Sequence, residues 1–107
     1  MNQVKHYDMN NFESFIQGTT PVVVEFYADW NEACKRMEPV LQEVKEIAGE
    51  RATTLRLDFD KDQQIANQYG LYMVPSVAIF KEGYMIWHKN GISAAHEILE
   101  HLMLEIK

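Results

Sequence analysis

An apolar run in the first third of the chain most limits what this sequence can fold into. Residues 22–28 read VVVEFYA and follow Pro21. The run is rich in β-branched and aromatic residues, but it lacks the alternation of a strand that faces solvent on one side. Such a pattern is typical of a strand buried on both faces, in a sheet that helices cover on both sides. It therefore predicts an α/β architecture.

The rest of the sequence supplies the other elements of such a fold. Before the central run, the pattern predicts a weak strand at 5–8 and a short helix that carries Phe12, Phe15 and Ile16 inward and ends at Gly18. After the run, the pattern predicts a helix over 31–48 that contains Pro39 and has apolar residues at helical spacing, namely Met37, Val40, Leu41, Val44, Ile47 and Ala48. A strand over 52–59, a helix over 62–69 and two strands over 76–81 and 84–88, joined at Glu82–Gly83, are predicted next. The last predicted element is a helix with Ile98, Leu99, Leu102 and Ile106 on one face. The order βαβαβαββα predicts a central mixed β-sheet flanked by helices on both faces.

Length, composition and charge limit the classes of function. With 107 residues, 47% of them apolar, the chain fits a single domain over residues 1–107 with its own core. Its net charge is −6 and it has no basic stripe, so nucleic acid is not an expected partner. No apolar run approaches the roughly 18 residues of a membrane span, and no signal peptide is visible. Together with the single cysteine, these features favour a cytoplasmic protein that does not act at a membrane.

Local motifs, taken in chain order, identify a family. Residues 22–34 read VVVEFYADWNEAC, and Pro39 follows within the next helix. Further matches are Asp58–Phe59–Asp60, residues 69–76 with the sequence YGLYMVPS, Lys81–Glu82–Gly83 and Asn90–Gly91. In type and spacing these motifs resemble the thioredoxin family from about Val4 to the C-terminus. The resemblance implies a thioredoxin-like fold.

The active loop of that family departs from its usual form in this sequence. Thioredoxins carry Trp-Cys-Gly-Pro-Cys, whereas the loop aligned on Trp30 reads Trp30–Asn31–Glu32–Ala33–Cys34. The attacking cysteine of the family thus falls at Asn31, and only the resolving cysteine is present, as Cys34. Disulfide reduction requires attack by a thiolate, and an amide cannot attack sulfur. The dithiol cycle of the family is therefore not possible in this chain.

Asn31 and Cys34 each have a structural and a functional interpretation. Asparagine is a favourable N-cap, so the side chain of Asn31 is expected to accept a hydrogen bond from the amide of the second or third helical residue, of which Cys34 is the third. The alternative is a role in gripping a ligand. Cys34 is either an idle, half-buried side chain or a working monothiol whose place in the first helical turn favours the thiolate. A monothiol reaction would need glutathione or another thiol protein to resolve the mixed disulfide.

Glu25 is the charged residue within the apolar central strand. Burying a carboxylate is costly unless it is paired or protonated. The resemblance places the proton acceptor of the resolving thiol at this position, and Arg56 at the basic position of the next strand. Burial raises the pKa of a carboxyl and a nearby cation lowers it, so the sequence leaves the net direction open. A proton relay that serves Cys34 and a structural ion pair are the two interpretations.

The resemblance also implies a peptide-binding groove beside the active loop. In the family, the proline aligned with Pro75 is cis, and the residue before it offers backbone groups to an extended substrate segment. The residues expected to line this groove are Trp30, Met73, Val74, Pro75, Gly91 and Ile92. Binding there would resemble the addition of a strand to a sheet. The alternative is that Trp30 and Met73 only cover the loop.

The remaining patterns predict neither a metal site nor a cofactor. His96 and His101 lie about 140° apart around a helix, so they do not share a face as the histidines of a zinc-protease helix do. A lone cysteine with scattered histidines provides no ligand set. Two functions therefore stay open: a module that binds a protein or peptide segment without normal disulfide reductase activity, and a monothiol oxidoreductase or redox sensor that uses Cys34.

Overall fold

The computed structural model describes residues 9–106 of the chain. Its helices are α1 (Met9–Phe15), α2 (Glu32–Ala48), α3 (Gln63–Gln68) and α4 (Ala95–Met103), and a turn of 3-10 helix at Gly49–Arg51 follows α2. Its strands are β1 (Val22–Tyr27), β2 (Thr53–Asp58), β3 (Ser76–Lys81) and β4 (Tyr84–Asn90). The strand predicted at 5–8 lies outside the described residues, and the other predicted elements are present.

The described strands form one mixed sheet in the order β2-β1-β3-β4. β1 runs parallel to β2, and α2 forms the long crossover that parallel strands require. β3 runs antiparallel to both β1 and β4. The central mixed sheet predicted from the order of elements is therefore confirmed.

β1 is buried along its whole length, as its sequence predicts. Val22, Val24 and Phe26 pack in one cluster with residues of α1 and α3, whereas Val23 packs in a second cluster with α2 and α4. Helices thus cover both faces of the sheet. Because successive side chains of β1 point to opposite faces, both sets need apolar surroundings, and this explains the absence of polar alternation.

In α1 and α2, fewer apolar side chains are buried than the sequence pattern predicts. Phe15 and Ile47, which were both expected to face inward, are exposed. Phe12 and Ile16 are buried as predicted, and they lie four residues apart, a spacing that places both on one face of a helix. In the same way, Ala48 is buried while its neighbour Ile47 turns away from the sheet.

A two-residue turn joins β3 to β4. Lys81 pairs with Tyr84, and the residues between them, Glu82 and Gly83, have φ angles of 53° and 89°. Positive φ at both central positions is the type I′ geometry, whose twist matches that of the flanking strands. The hairpin predicted at Glu82–Gly83 is therefore confirmed.

β4 is longer than predicted and ends beside the start of β3. It extends two residues beyond the predicted end, to Asn90. A bulge between Ile79 and Phe80 shifts the register of the hairpin, and after this shift Ser76 lies opposite Asn90. The residues before Ser76 and those after Asn90 consequently meet at the same end of the sheet.

Candidate functional site

The residues predicted to form the site come together at one end of the sheet. Phe26, near the end of β1, lies opposite Ser76 at the start of β3, and Ser76 lies opposite Asn90 at the end of β4. The loops that continue from these positions carry Trp30 and Asn31, residues 73–75, and Gly91 and Ile92. Cys34 follows in the first turn of α2, and Glu25 and Arg56 lie side by side on β1 and β2.

Asn31 is the N-cap of α2. Its backbone is extended, and its side-chain Oδ1 accepts a hydrogen bond from the backbone N–H of Cys34, with an N–O distance of 3.1 Å. This bond satisfies one of the amides that a helix leaves without an intrahelical partner at its start. The predicted cap is therefore confirmed.

Cys34 is closed off from solvent. It is 3% exposed, and its Sγ accepts a hydrogen bond from the backbone N–H of Ala28 at 3.4 Å. Burial raises the pKa of the Cys34 thiol, the Ala28 N–H lowers it, and the Glu25 carboxylate raises it further, so that the net pKa is above its usual value. Burial therefore acts against the thiolate at Cys34, and the expectation that the first helical turn favours it stays a prediction.

Glu25 and Arg56 form an ion pair across neighbouring strands. Oε1 of Glu25 accepts a hydrogen bond from Nε of Arg56 at 3.0 Å, whereas its Oε2 is buried without a hydrogen-bond partner among the described residues. Burial raises the pKa of Glu25 and the Arg56 guanidinium lowers it, with a net rise. Burial wins because Arg56 is itself only partly buried, so water screens its charge. The guanidinium also lies 4.0 Å from the centre of the Tyr27 ring, a cation–π contact that fixes its position.

Trp30 stands in solvent at the tip of the loop between β1 and α2. It is 67% exposed, yet its indole Nε1 donates a hydrogen bond to Oδ2 of Asp60 at 2.8 Å. The backbone N–H of Asp60 in turn donates to Oδ1 of Asp58 at 2.9 Å. These bonds orient the indole while leaving its apolar surface open, which is the arrangement expected of a contact residue and not of a core residue.

Other large apolar side chains are exposed on loops at the same end of the sheet as Trp30. The set consists of Trp30, Tyr72, Met73 and Ile92, and is called the apolar rim below. Tyr72 is 75% exposed and is missing from the set predicted by sequence. The available signal was an aromatic residue in the irregular loop shortly before Pro75. The exposure of Trp30 and Met73 argues against the alternative that they only cover the loop.

The backbone before β3 has unused hydrogen-bonding groups. The side chains of Val74 and Pro75 are buried, and the peptide bond between them is cis. The Pro75 carbonyl accepts a hydrogen bond from the N–H of Gly91 at 2.8 Å. Within residues 9–106, the backbone N–H and C=O of Val74 form no hydrogen bond. An extended chain that lies against this segment can pair with both groups.

A cavity of about 280 Å³ lies at the opposite end of the sheet. Its lining includes Arg51, Lys81 and Glu105. The Lys81 ammonium donates to the backbone carbonyl of Glu105 at 2.9 Å, and Arg51 donates to the carbonyls of Ile47 and Ala48 at the end of α2. Because these cations already bind main-chain oxygens, the cavity has little unbalanced charge for a ligand, and the apolar rim is the better candidate site.

Acidic, histidine and cysteine side chains of residues 9–106 do not gather in any group of three that could hold a metal ion. The aspartates nearest the site, Asp58 and Asp60, bind backbone and indole N–H groups instead. Over the same residues, no helix is both long and apolar enough to cross a membrane.

Comparison with known sequences identifies relatives over nearly the whole chain. The thioredoxin family model matches residues 3–103. The chloroplast thioredoxin Y of rice (Oryza sativa subsp. japonica) is 32% identical over 101 residues, which cover 94% of this chain and 60% of that protein. A thioredoxin-like protein of Synechocystis sp. is 30% identical over 95 residues, which cover 88% of this chain and 90% of that protein. Since the relatives include a chloroplast protein, the cytoplasmic location stays a prediction.

Solved thioredoxin structures have the same fold. The thioredoxin of Malassezia sympodialis superposes with a TM-score of 0.84 at 25% identity, covering 98% of this chain and 90% of that one. A mutant thioredoxin from Halobacterium salinarum superposes with a TM-score of 0.83 at 22% identity, covering 97% and 90% of the two chains. The predicted thioredoxin-like fold is confirmed. With the family model matched over residues 3–103, the chain belongs to the thioredoxin family.

Proposed function

We propose that this chain is a single thioredoxin-like domain that binds an extended segment of a partner protein and lacks normal disulfide reductase activity. The observation that carries the proposal is the side chain of Asn31, which stands in place of the attacking thiol and caps α2 at the amide of Cys34. The binding surface consists of the apolar rim and the backbone of Val74.

The loss of reductase activity follows from the position and state of the groups at the start of α2. The attacking group must reach a substrate disulfide as a thiolate. Asn31 occupies the partly exposed position and has no thiol. Cys34, the single cysteine, is buried with a raised pKa, so it is held as a thiol away from the surface.

The apolar rim supports a role in binding. Its large apolar side chains are exposed on loops that share one end of the sheet, and exposed apolar surface of this kind is typical of interaction sites. Trp30 is already oriented by its bond to Asp60, so it loses little conformational freedom when a partner covers it. The unused backbone groups of Val74 add main-chain pairing of the kind that strand addition uses. Family membership supports a protein as the partner, because thioredoxins act on protein substrates.

One observation favours a second function, a monothiol oxidoreductase or redox sensor that uses Cys34. The backbone N–H of Ala28 donates to Sγ, and this contact stabilises a thiolate once it forms. The Cys34 thiolate would attack one sulfur of a substrate disulfide, and the other sulfur would leave as a thiolate. Glutathione or another thiol protein would then attack the mixed disulfide and release Cys34 reduced. The burial of Sγ opposes this function.

Reduction of insulin by dithiothreitol separates the two functions. The native protein, Asn31→Cys and Cys34→Ser are compared, with aggregation of the released B chain as the readout. We expect the native protein to match the rate without protein, and Asn31→Cys to exceed it because a dithiol is restored at a helix N-terminus. An active native protein whose activity disappears in Cys34→Ser would overturn the proposal in favour of the monothiol function.

Binding itself is measured with an extended polypeptide that has no reactive sulfur. The probe is the insulin B chain with carboxymethylated cysteines and a fluorescein label, and its fluorescence anisotropy is followed as protein is added. We expect saturable binding with the same affinity for the native protein and Cys34→Ser. Binding lost in Cys34→Ser but retained in Trp30→Ala would contradict the proposed surface.

A further inference from the structure

Residues 72–75 supply two side chains of the apolar rim but belong to no helix or strand. An irregular segment keeps its backbone conformation only through individual contacts. Here the N–H of Leu71 donates to the Ala66 carbonyl at 2.8 Å, the Met73 carbonyl accepts from the side chain of Ser76, and the Pro75 carbonyl accepts from the N–H of Gly91. Of these three hydrogen bonds, the one from Ser76 is made by a side chain and the other two join backbone groups.

Ser76 ties this segment to the sheet. It is fully buried, and its hydroxyl donates to the carbonyl oxygen of Met73 at 2.6 Å. The same hydroxyl oxygen lies 2.9 Å from the side-chain Oδ1 of Asn90, the last residue of β4. Since Ser76 is also the first residue of β3, one hydroxyl connects the irregular segment to two strands.

The bond to Met73 sets the direction of a neighbouring group. The Met73 carbonyl and the Val74 N–H belong to one planar peptide unit, in which they point in opposite directions when the peptide is trans. Because the carbonyl points inward to Ser76, the Val74 N–H points outward. On the other side of Val74, the Pro75 carbonyl is held by Gly91, the residue after Asn90.

We infer that Ser76, supported by Asn90, is a positioning residue for the proposed binding site: it holds the Met73 carbonyl and thereby aims the Val74 N–H at an incoming extended segment. The inference rests on the proposed function. Holding the peptide in its bound orientation removes an ordering cost that binding would otherwise include. Loss of one neutral hydrogen bond of this kind weakens binding about three- to tenfold.

The chain offers a matched control for the test. Ser93 is also buried, but its Oγ has no hydrogen-bond partner among the described residues. Ser93→Ala removes the same atom as Ser76→Ala without removing a bond to residues 72–75. A serine that only fills buried space would affect thermal stability and leave the affinity of the folded protein unchanged.

The experiment measures affinity and local motion in Ser76→Ala, Asn90→Ala and Ser93→Ala. Affinity is taken from the anisotropy of the labelled, carboxymethylated insulin B chain. Motion of the Met73 and Val74 amides is taken from order parameters given by ¹⁵N relaxation. We expect Ser76→Ala and, to a smaller degree, Asn90→Ala to bind more weakly and to show lower order parameters at both amides, while Ser93→Ala matches the native protein in both measurements.

The outcomes separate the inference from the function on which it rests. If the native protein binds the B chain and Ser76→Ala binds it equally well, the positioning role is overturned and the proposed function stands. If the native protein does not bind the B chain, the proposed function itself is overturned. Unchanged order parameters in Ser76→Ala would overturn the positioning role whatever the binding result.

Discussion

Two regions at the same end of the sheet differ in what they expose. The thiol corner, made of Glu25, Asn31 and Cys34, is capped and buried: its sulfur lies under the surface and its carboxylate is paired with a strand neighbour. The apolar rim stands open around it. In a working reductase both regions must face the substrate, one to hold it and the other to react with it. Here the region that would react is closed, whereas the region proposed to hold a partner is open.

The largest expected effect tests how completely the thiol corner is closed. Iodoacetamide should alkylate Cys34 in the native protein at least about 100-fold more slowly than in guanidinium chloride at the same pH, because the buried thiol must first be exposed by local opening. Mass spectrometry of samples quenched over time gives both rates. Similar rates in the two conditions would mean that Sγ is accessible and that the contrast between the regions does not hold.

The next effect concerns the open region. Trp30→Ala should weaken binding of the labelled insulin B chain about 30-fold, since exposed tryptophans that anchor an interface are frequent hot spots. The thermal midpoint should change little, because Trp30 is mostly in solvent. Tyr84→Ala is the matched control: Tyr84 is 75% exposed but lies at the hairpin, at the other end of the sheet. If both variants lost the same affinity for the B chain, the apolar rim would not be a specific binding surface.

A third effect sharpens the contrast through pH. Burial raises the pKa of Glu25 in the folded state above its ordinary value of 4.5, so the folded protein retains this proton longer than the unfolded chain does. The contribution of Glu25 to the free energy of unfolding should therefore fall as pH rises from the unfolded pKa through the folded one. Glu25→Gln keeps an oxygen for Arg56 and carries no charge. At pH 8 the variant should therefore be more stable than wild type, with a free energy of unfolding higher by roughly 1–3 kcal/mol.

Urea unfolding at pH 4 and pH 8 measures this difference, which should shrink at the lower pH. The exposed Glu43→Gln serves as the control and should show no such dependence. A Glu25→Gln variant that is less stable than wild type at pH 8 would mean that the ion pair with Arg56 outweighs the cost of burial.

The smallest effect concerns the Asn31 cap of α2. Asn31→Ala should lower the free energy of unfolding by about 1 kcal/mol, because the Cys34 amide loses its side-chain acceptor. Asn31→Ser keeps an acceptor and should lie close to wild type. Both are measured by urea unfolding at neutral pH. If the two variants were equally destabilised, the stabilising effect of the Asn31 side chain would not come from its capping hydrogen bond.

Features that depend on local pattern could be predicted from the sequence. The unbroken apolar run of β1 predicts burial on both faces, and Asn31 before a helical stretch predicts its hydrogen bond to Cys34. Both depend on residues close together in the chain, where the geometry of strands and helix ends leaves few choices.

Features that depend on distance between segments could not be predicted. If the hairpin closed by Lys81 and Tyr84 had no bulge, Ser76 would lie opposite Lys89. Because the bulge shifts the register by one residue, Ser76 lies opposite Asn90. The pKa direction of Glu25 depends in the same way on the burial of both partners. Tyr72 was missed because a loop residue has no periodicity from which its exposure can be inferred.

The solitary thiol has a consequence for how the molecule responds to its surroundings. A thioredoxin with two cysteines exists in two covalent forms, and the reduction potential of its compartment decides which form is populated. Within these 107 residues Cys34 has no second thiol with which to form a disulfide, so this chain by itself has no dithiol–disulfide equilibrium. No internal disulfide can therefore alter the proposed binding surface, whereas a change of pH acts on the stability of the fold through the raised pKa of Glu25.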